Sequence, residues 1–279
     1  MRHYPTLSTS RPVSFAADWW MDRPLVLGHR GASAHAPENT VAAFRAADAA
    51  KPTGFPNPAG FAGADGVELD VHLTADGVPV VIHNGSVDAT TDGHGLVRDM
   101  TLHEIQQLDA GSHFDAAFGG ERIPTLAEAL AAMGDRMRVN IELKPQAKGT
   151  GELERAVAKV VYEMQMGRRV WFSSFKPYSL YQIRQFAADI PCALLVSPLT
   201  LSSLLLAPVT PMEAIHVHYS LCSKWLVDTA HGLGLRVGVW TVDDAAVAAQ
   251  LWSYGVDAII TNDPAKLRNE NAVVSAADL

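Results

Sequence analysis

The sequence predicts an α/β chain folded as a (β/α)8 TIM barrel, and three observations carry that prediction. Short apolar runs of strand character alternate with helix-like runs eight times along the 279 residues. The first apolar run passes directly into polar residues and glycine, as expected of a buried parallel strand with a site at its C-terminal end. The rival architecture, an open doubly wound sheet, wants a G-x-G-x-x-G turn after its first strand, and the turn here reads GHRGAS.

Taken in order, residues 1–23 lack periodicity and read as an N-terminal tail ahead of a single domain spanning 24–279. Leu25 to Gly28 form a short apolar strand that runs into His29, Arg30 and Gly31. Asn39 is the expected N-cap of a helix over 40–50, and the Pro- and Gly-rich stretch 51–60 is an inserted loop. GVELDVHL, residues 66–73, alternates with period two: Val67, Leu69, Val71 and Leu73 on one face, Glu68, Asp70 and His72 on the other. VPVVI, 78–82, is an accessory partner to this second strand and ends in His83 and Asn84. A small insertion of about 85–122 follows, irregular except for a short helix at 102–108. Thr125 and Glu128 form a capping box for a helix over 125–133. The strand 138–144 again alternates, with Asn140, Glu142 and Lys144 on its polar face. Five further strands are expected at 170–174, 193–197, 214–218, 236–242 and 258–261, with helices between them, a short one near Ser202, and a closing helix from Pro264.

Composition narrows the function. A net charge of −8 without a basic tail argues against a nucleic-acid partner but leaves room for a small phosphate ester. Two cysteines, Cys192 and Cys222, make neither a disulfide framework nor a zinc spacing, which suits a reducing, cytoplasmic setting. No apolar run approaches a membrane span, and the first residues lack a signal-peptide core. No pattern in the chain specifies an oligomeric state.

In a barrel, strand-end residues share one mouth. That places His29, Arg30, Glu68, Asp70, His83, Glu142, Lys144 and Trp240 together. Two carboxylates on one strand face lie about 6–7 Å apart, close enough to share a hard cation and uncomfortable without one. Three carboxylates from neighbouring strands suit Mg2+ or Ca2+ rather than zinc. Two histidines suit general acid–base chemistry, and Arg30 and Lys144 suit an anionic oxygen. Together the parts fit hydrolysis of a phosphate ester, with the two histidines on either side of the bound phosphate, one neutral and one protonated near neutral pH.

The stretches GHRGASAHAPENT, GVELDVHLTADGVPVVIHN, NIELKP, VGVWTVDD and GVDAIITNDP resemble the successive motifs of the glycerophosphodiester phosphodiesterase family, from about Val26 to Leu267. The resemblance implies a TIM barrel with a small insertion after the second strand and a divalent metal. It also implies hydrolysis of a small-molecule glycerophosphodiester to sn-glycerol 3-phosphate and an alcohol. It makes His29 and His83 the catalytic pair and Glu68, Asp70 and Glu142 the metal ligands. Arg30, Glu38, Lys144 and Trp240 become substrate contacts. Two positions depart from the family pattern: Asn84 stands where Asp is usual after the histidine, and Ala89 where Arg is usual before Thr90 and Thr91. The alternatives are a barrel that binds a phosphodiester without turning it over, and a phospholipase D-like enzyme releasing a cyclic phosphate.

Overall fold

The structure is a computed structural model that describes residues 24–49, 63–133, 135–144 and 150–268; the expected tail at 1–23 and loop at 51–60 lie outside these residues. Among the described residues nine strands are formed: β1 (Leu25–His29), β2 (Gly66–Leu73), β3 (Pro79–Val81), β4 (Arg138–Leu143), β5 (Val170–Ser174), β6 (Cys192–Val196), β7 (Ala214–His218), β8 (Arg236–Trp240) and β9 (Ala258–Thr261). Eight of them are parallel neighbours in the order β1-β2-β4-β5-β6-β7-β8-β9. β9 returns to β1, with Val26 opposite Ile259, and closes the barrel. β3 stands outside this ring, antiparallel to β2.

The helices are α1 (Val41–Ala49), α2 (Leu102–Ile105), α3 (Leu126–Ala132), α4 (Glu152–Glu163), α5 (Pro177–Phe186), α6 (Lys224–Gly232) and α7 (Ala245–Ser253). Thr125 caps α3 through the expected box, accepting from the Glu128 amide while Glu128 reaches back to the Thr125 amide. At α1 the expectation fails in an informative way. Asn39 is in the left-handed region, φ 59°, and its side chain turns inward to Asp70, so Thr40 caps the helix instead by accepting from the Ala43 amide at 3.3 Å. The short helix expected near Ser202 is a 3-10 segment, Leu201–Val209.

The alternation read in β2 sorts into two cores. Val67, Leu69 and Val71 point outward and pack with Val139, Ile141 and the helix layer, while Glu68 and Asp70 point into the barrel and are buried there. The lower interior is filled by Leu25, Leu27, Trp171 and Ile260, with Ala193, Ala214 and Ala258 as small partners that make room for the indole. The insertion after β3 holds a third apolar cluster of its own, built from Val87, Val97, Ile105, Ala110 and Ile123 against Val80 and Ile82. Gly31 makes the turn above β1 possible: it has φ +88°, and a Cβ there would lie 2.6 Å from Ala43 of α1.

Candidate active site

Each expected site residue reaches the same end of the barrel. His29, Arg30, Glu68, His83, Glu142, Lys144 and Trp240 line one cavity of about 210 Å3, joined by Asn140, Phe175, Leu195 and Ile260. Asp70 lies beneath its charged side chains, bound to Lys144 and Arg30, and Glu38 sits one step outward on Arg30. β3 is what delivers His83. Running back along β2, it sets Val81 opposite Val71, and the Ile82 amide donates to the Asp70 carbonyl at 3.0 Å, so the next residue turns over the mouth.

Carboxylate oxygens of Glu68, Asp70 and Glu142 lie within 4.8 Å of one another, all three residues buried. Register explains the cluster: Asp70 stands beside Glu142 in the β2–β4 ladder, and Glu68 is one pleat lower. Lys144 Nζ is 3.0 Å from Asp70 Oδ1 and 2.7 Å from Glu142 Oε1, and Arg30 Nε is 3.4 Å from Asp70 Oδ2. Despite burial, Lys144 and Arg30 hold the Asp70 carboxyl well below the usual carboxylate range, helped by Asn39. Glu68 and Glu142 go the other way. Burial and the charge of Asp70 push Glu142 up to about 8, and burial with Asp70 and Glu142 raises Glu68 as well. The direct contact of Glu142 with Lys144 does not reverse this, because Lys144 is shared with Asp70. An all-oxygen set of three acids, two of them driven towards their neutral forms, lacks positive charge, and a divalent ion that prefers oxygen ligands would supply it.

Both histidines are held through Nδ1 by amide oxygens. His29 Nδ1 is 2.7 Å from Asn262 Oδ1, and His83 Nδ1 is 2.9 Å from Asn84 Oδ1. The Asn262 amide cannot turn freely, since its Nδ2 donates to Asp243 Oδ2 at 2.6 Å, and Asp243 Oδ1 also accepts from the Asn262 backbone and from Thr261 Oγ1. Its oxygen therefore faces His29, which carries its proton on Nδ1 and turns Nε2 to the site, 4.0 Å from Glu68 Oε2. Burial and neighbouring Arg30 lower the His29 pKa; burial lowers that of His83 against the charge of Asp70, with Lys144 and Arg30 adding to the fall. Both shifts favour the neutral ring near pH 7, with burial the larger cause, and the expected split into one neutral and one protonated ring applies with a phosphate between them.

Several contributors carried no role in the sequence reading. Asn39 grips Asp70 twice, Nδ2 donating to its carboxylate at 2.8 Å and Oδ1 accepting from its amide at 3.3 Å. His72 Nε2 bonds the His83 carbonyl at 3.1 Å. The space left by Gly238 beside Trp240 is filled by His216: a Cβ on Gly238 would lie 2.6 Å from that ring, and Trp240 Nε1 donates to the His216 carbonyl at 3.0 Å. Phe175 and His218 pack edge-on against Trp240, with centroids 5.5 and 5.3 Å away, so one wall of the mouth is aromatic. The signal for Asp243 and Asn262 was present as polar residues just past the seventh and eighth barrel strands.

The family model described as the glycerophosphoryl diester phosphodiesterase family matches residues 29–266. The chain belongs to the glycerophosphoryl diester phosphodiesterase family. It is 39% identical over 248 residues to a glycerophosphodiester phosphodiesterase of Caldanaerobacter subterraneus, covering 88% of this chain and 97% of that one. A Bacillus subtilis glycerophosphodiester phosphodiesterase is 30% identical, with coverages of 87% and 85%. Among solved structures, a phosphodiesterase of Oleispira antarctica in complex with the product sn-glycerol-3-phosphate superposes with a TM-score of 0.77 at 30% identity, covering 88% of this chain and 96% of that one. As a member of the family the chain is a phosphoric diester hydrolase, and its closed parallel barrel is the fold of these neighbours. No helix among the described residues is long and apolar enough to cross a membrane.

Proposed function

We propose that this glycerophosphodiester phosphodiesterase hydrolyses its substrate to sn-glycerol 3-phosphate and an alcohol by a metal-dependent reaction in which His29 and His83 exchange protons with the reacting oxygens. The observation that carries the reading is the meeting of two histidines, two cations and the carboxylates of Glu68 and Glu142 on one cavity, with the Asp70 carboxylate directly beneath. Glu68, Asp70 and Glu142 would hold a Mg2+ or Ca2+ ion, which would offset charge on the non-bridging phosphate oxygens. Arg30 and Lys144 supply the other positive charges and take the phosphate oxygens. Glu38 holds the Arg30 guanidinium at 2.8 and 2.9 Å and so fixes its direction. Trp240, with Phe175, gives an uncharged wall for the rest of the ligand.

The neutral His29, with its Nδ1 proton tied to Asn262, offers Nε2 as the base that removes a proton from a water as it attacks phosphorus, or from the glycerol 2-hydroxyl; the second route forms a cyclic phosphate as the alcohol leaves, which a water then opens to sn-glycerol 3-phosphate with the two histidines exchanging roles. His83 is less buried and is drawn towards protonation by Asp70; an arriving phosphate anion strengthens that pull and lets it protonate the leaving alkoxide. Asn84 orients His83 as the usual Asp would, without adding charge. Two free thiols, Cys192 and Cys222, are in keeping with a cytoplasmic setting.

The test is incubation of purified protein with glycerophosphocholine and Mg2+ or Ca2+, following release of glycerol 3-phosphate. Absence of product with either ion and across several headgroups rejects the reading. A ligand-induced rise in Tm without product would favour a non-catalytic binding barrel, and a cyclic phosphate seen by phosphorus NMR would favour the phospholipase D-like alternative.

A further inference from the structure

Most of the large apolar side chains exposed among the described residues fall between Tyr178 and Trp225. The centre of this stretch is the connection after β6, where residues 197–212 include no charged residue. Leu199 is 96% exposed, Leu205 83% and Val209 76%; these side chains stand out from the surface instead of flooring a groove. Leu204 and Met212 of the same connection pack against the main core, so the protruding residues are carried on an anchored segment. Soluble surfaces rarely gather apolar side chains in this way without a partner.

The position of the patch identifies the partner. Connections that follow parallel barrel strands surround the mouth. Leu195 of β6 and Phe175, just past β5, line the active-site cavity itself, and the apolar connection begins two residues after Leu195, at the end of the same strand. Tyr178, Tyr219 and Trp225, all exposed, border it at the start of α5, just after β7 and at the start of α6. Rings with an apolar body and a polar tip suit the boundary between hydrocarbon and water. The charge of the rim is also unlike that of the chain. In the connections following β5, β6 and β7, up to the first residue of α6, the charged side chains other than Glu213 are Lys176 and Lys224, the latter paired with Asp228 at 2.7 Å, whereas the whole protein carries −8. Glu213, the residue just before β7, is buried at the opposite end of the barrel with Arg184.

We propose that this rim docks the mouth of the barrel onto an anionic lipid surface, with Leu199, Leu205 and Val209 entering the headgroup region and the exposed Lys176 facing the phosphates. Apolar area and basic charge add in such binding. Its purpose rests on the proposed hydrolysis of glycerophosphodiesters, since the mouth would then open where glycerolipids are broken down; its detection does not.

The test is cosedimentation of the intact protein with vesicles of phosphatidylcholine and phosphatidylglycerol, for the wild type and for the double variant Leu199→Asp, Leu205→Asp. Both positions are exposed and outside the cavity, so kcat/KM on glycerophosphocholine should stay at the wild-type value and report that the variant is folded. The expected result is that wild type pellets with the vesicles and that the variant's partition falls roughly ten-fold or more. Wild type remaining in the supernatant at every lipid concentration overturns the proposal, as does a folded variant that pellets like wild type. Sedimentation velocity without lipid provides the remaining contrary outcome: a wild-type dimer that becomes monomeric in the variant would make the rim an interface between copies. Failure to turn over glycerophosphocholine, with vesicle binding intact, would strike the proposed reaction and leave the docking standing.

Discussion

Asn262 holds His29 through an oxygen whose direction Asp243 decides. The ring Nδ1 is 2.7 Å from Asn262 Oδ1, the amide nitrogen donates to Asp243 Oδ2 at 2.6 Å, and Ser33 Oγ adds a second bond to the same oxygen at 2.9 Å. Three strand-end connections thus converge to choose one histidine tautomer. The bond to Asn262 also raises the His29 pKa against the effects of burial and Arg30. Asn262→Asp should therefore move the acidic limb of kcat/KM to higher pH, because the base must be neutral to act. Asn262→Ala should move it lower and reduce kcat/KM roughly ten- to hundred-fold through loss of orientation. A pH–rate profile of the two variants checks both signs.

The three acids should divide into two classes in the metal-free protein. Glu142 is raised to about 8 and Glu68 is raised too, above their values in an unfolded chain, so at pH 7 folding moves both towards their neutral forms at a cost. Glu68→Gln and Glu142→Gln should leave the Tm without metal unchanged or higher. Asp70 is depressed, so its charge stabilises the fold above its unfolded pKa, and Asp70→Asn should cost on the order of 1–3 kcal/mol by leaving Lys144 and Arg30 under-compensated. All three should lose activity. Thermal melts with chelator, beside rates at limiting metal, test the division; wild-type rates in all three would remove the ligand assignment.

Metal binding should release protons. The ion requires ionised ligands, while Glu142 is about half protonated near pH 8 and more so below it. Affinity for Mg2+ or Ca2+ should fall as pH drops from about 8 towards the unperturbed Glu range. Calorimetry in buffers of different ionisation enthalpy measures the protons directly, and buffer-independent heats at about pH 7 would contradict the expectation.

Much of this site was legible because alternation exposes it. Glu68, Asp70 and Glu142 interrupt apolar strands at every second residue, and a barrel that buries both strand faces leaves such acids only the interior. Asn39 was misread because a polar residue before a helix is locally a good cap. Its left-handed backbone and its bonds to Asp70, 31 residues away, are set by tertiary contact that local preference does not encode. His72 and His216 were opaque for a related reason: a histidine's role depends on what its nitrogens meet, here a backbone carbonyl and a buried amide.

His216 should dominate acid sensitivity outside the acid cluster. It is fully buried, and burial lowers its pKa to about 3. Both states are neutral above about 6.5, where its contribution is complete. As pH falls from 6.5 towards 3 the unfolded chain binds the proton first, so stability is lost across that window. At about 1.4 kcal/mol per unit the loss amounts to several kcal/mol by the lower end. Asn140 Nδ2 is 3.4 Å from its Nδ1, which lets Gln occupy the place. His216→Gln should show a smaller fall in Tm between about pH 6.5 and 4 than wild type.

The most direct test of the account is kcat/KM of His29→Ala and His83→Ala at saturating metal on two substrates, glycerophosphocholine and a p-nitrophenyl diester. Choline leaves as an alkoxide that needs a proton; p-nitrophenolate is already a stable anion. His83→Ala should lose rate on glycerophosphocholine and far less on the nitrophenyl diester, whereas His29→Ala should lose rate on both. Near-wild-type turnover of glycerophosphocholine by either variant would contradict the assignment and remove that histidine from the mechanism.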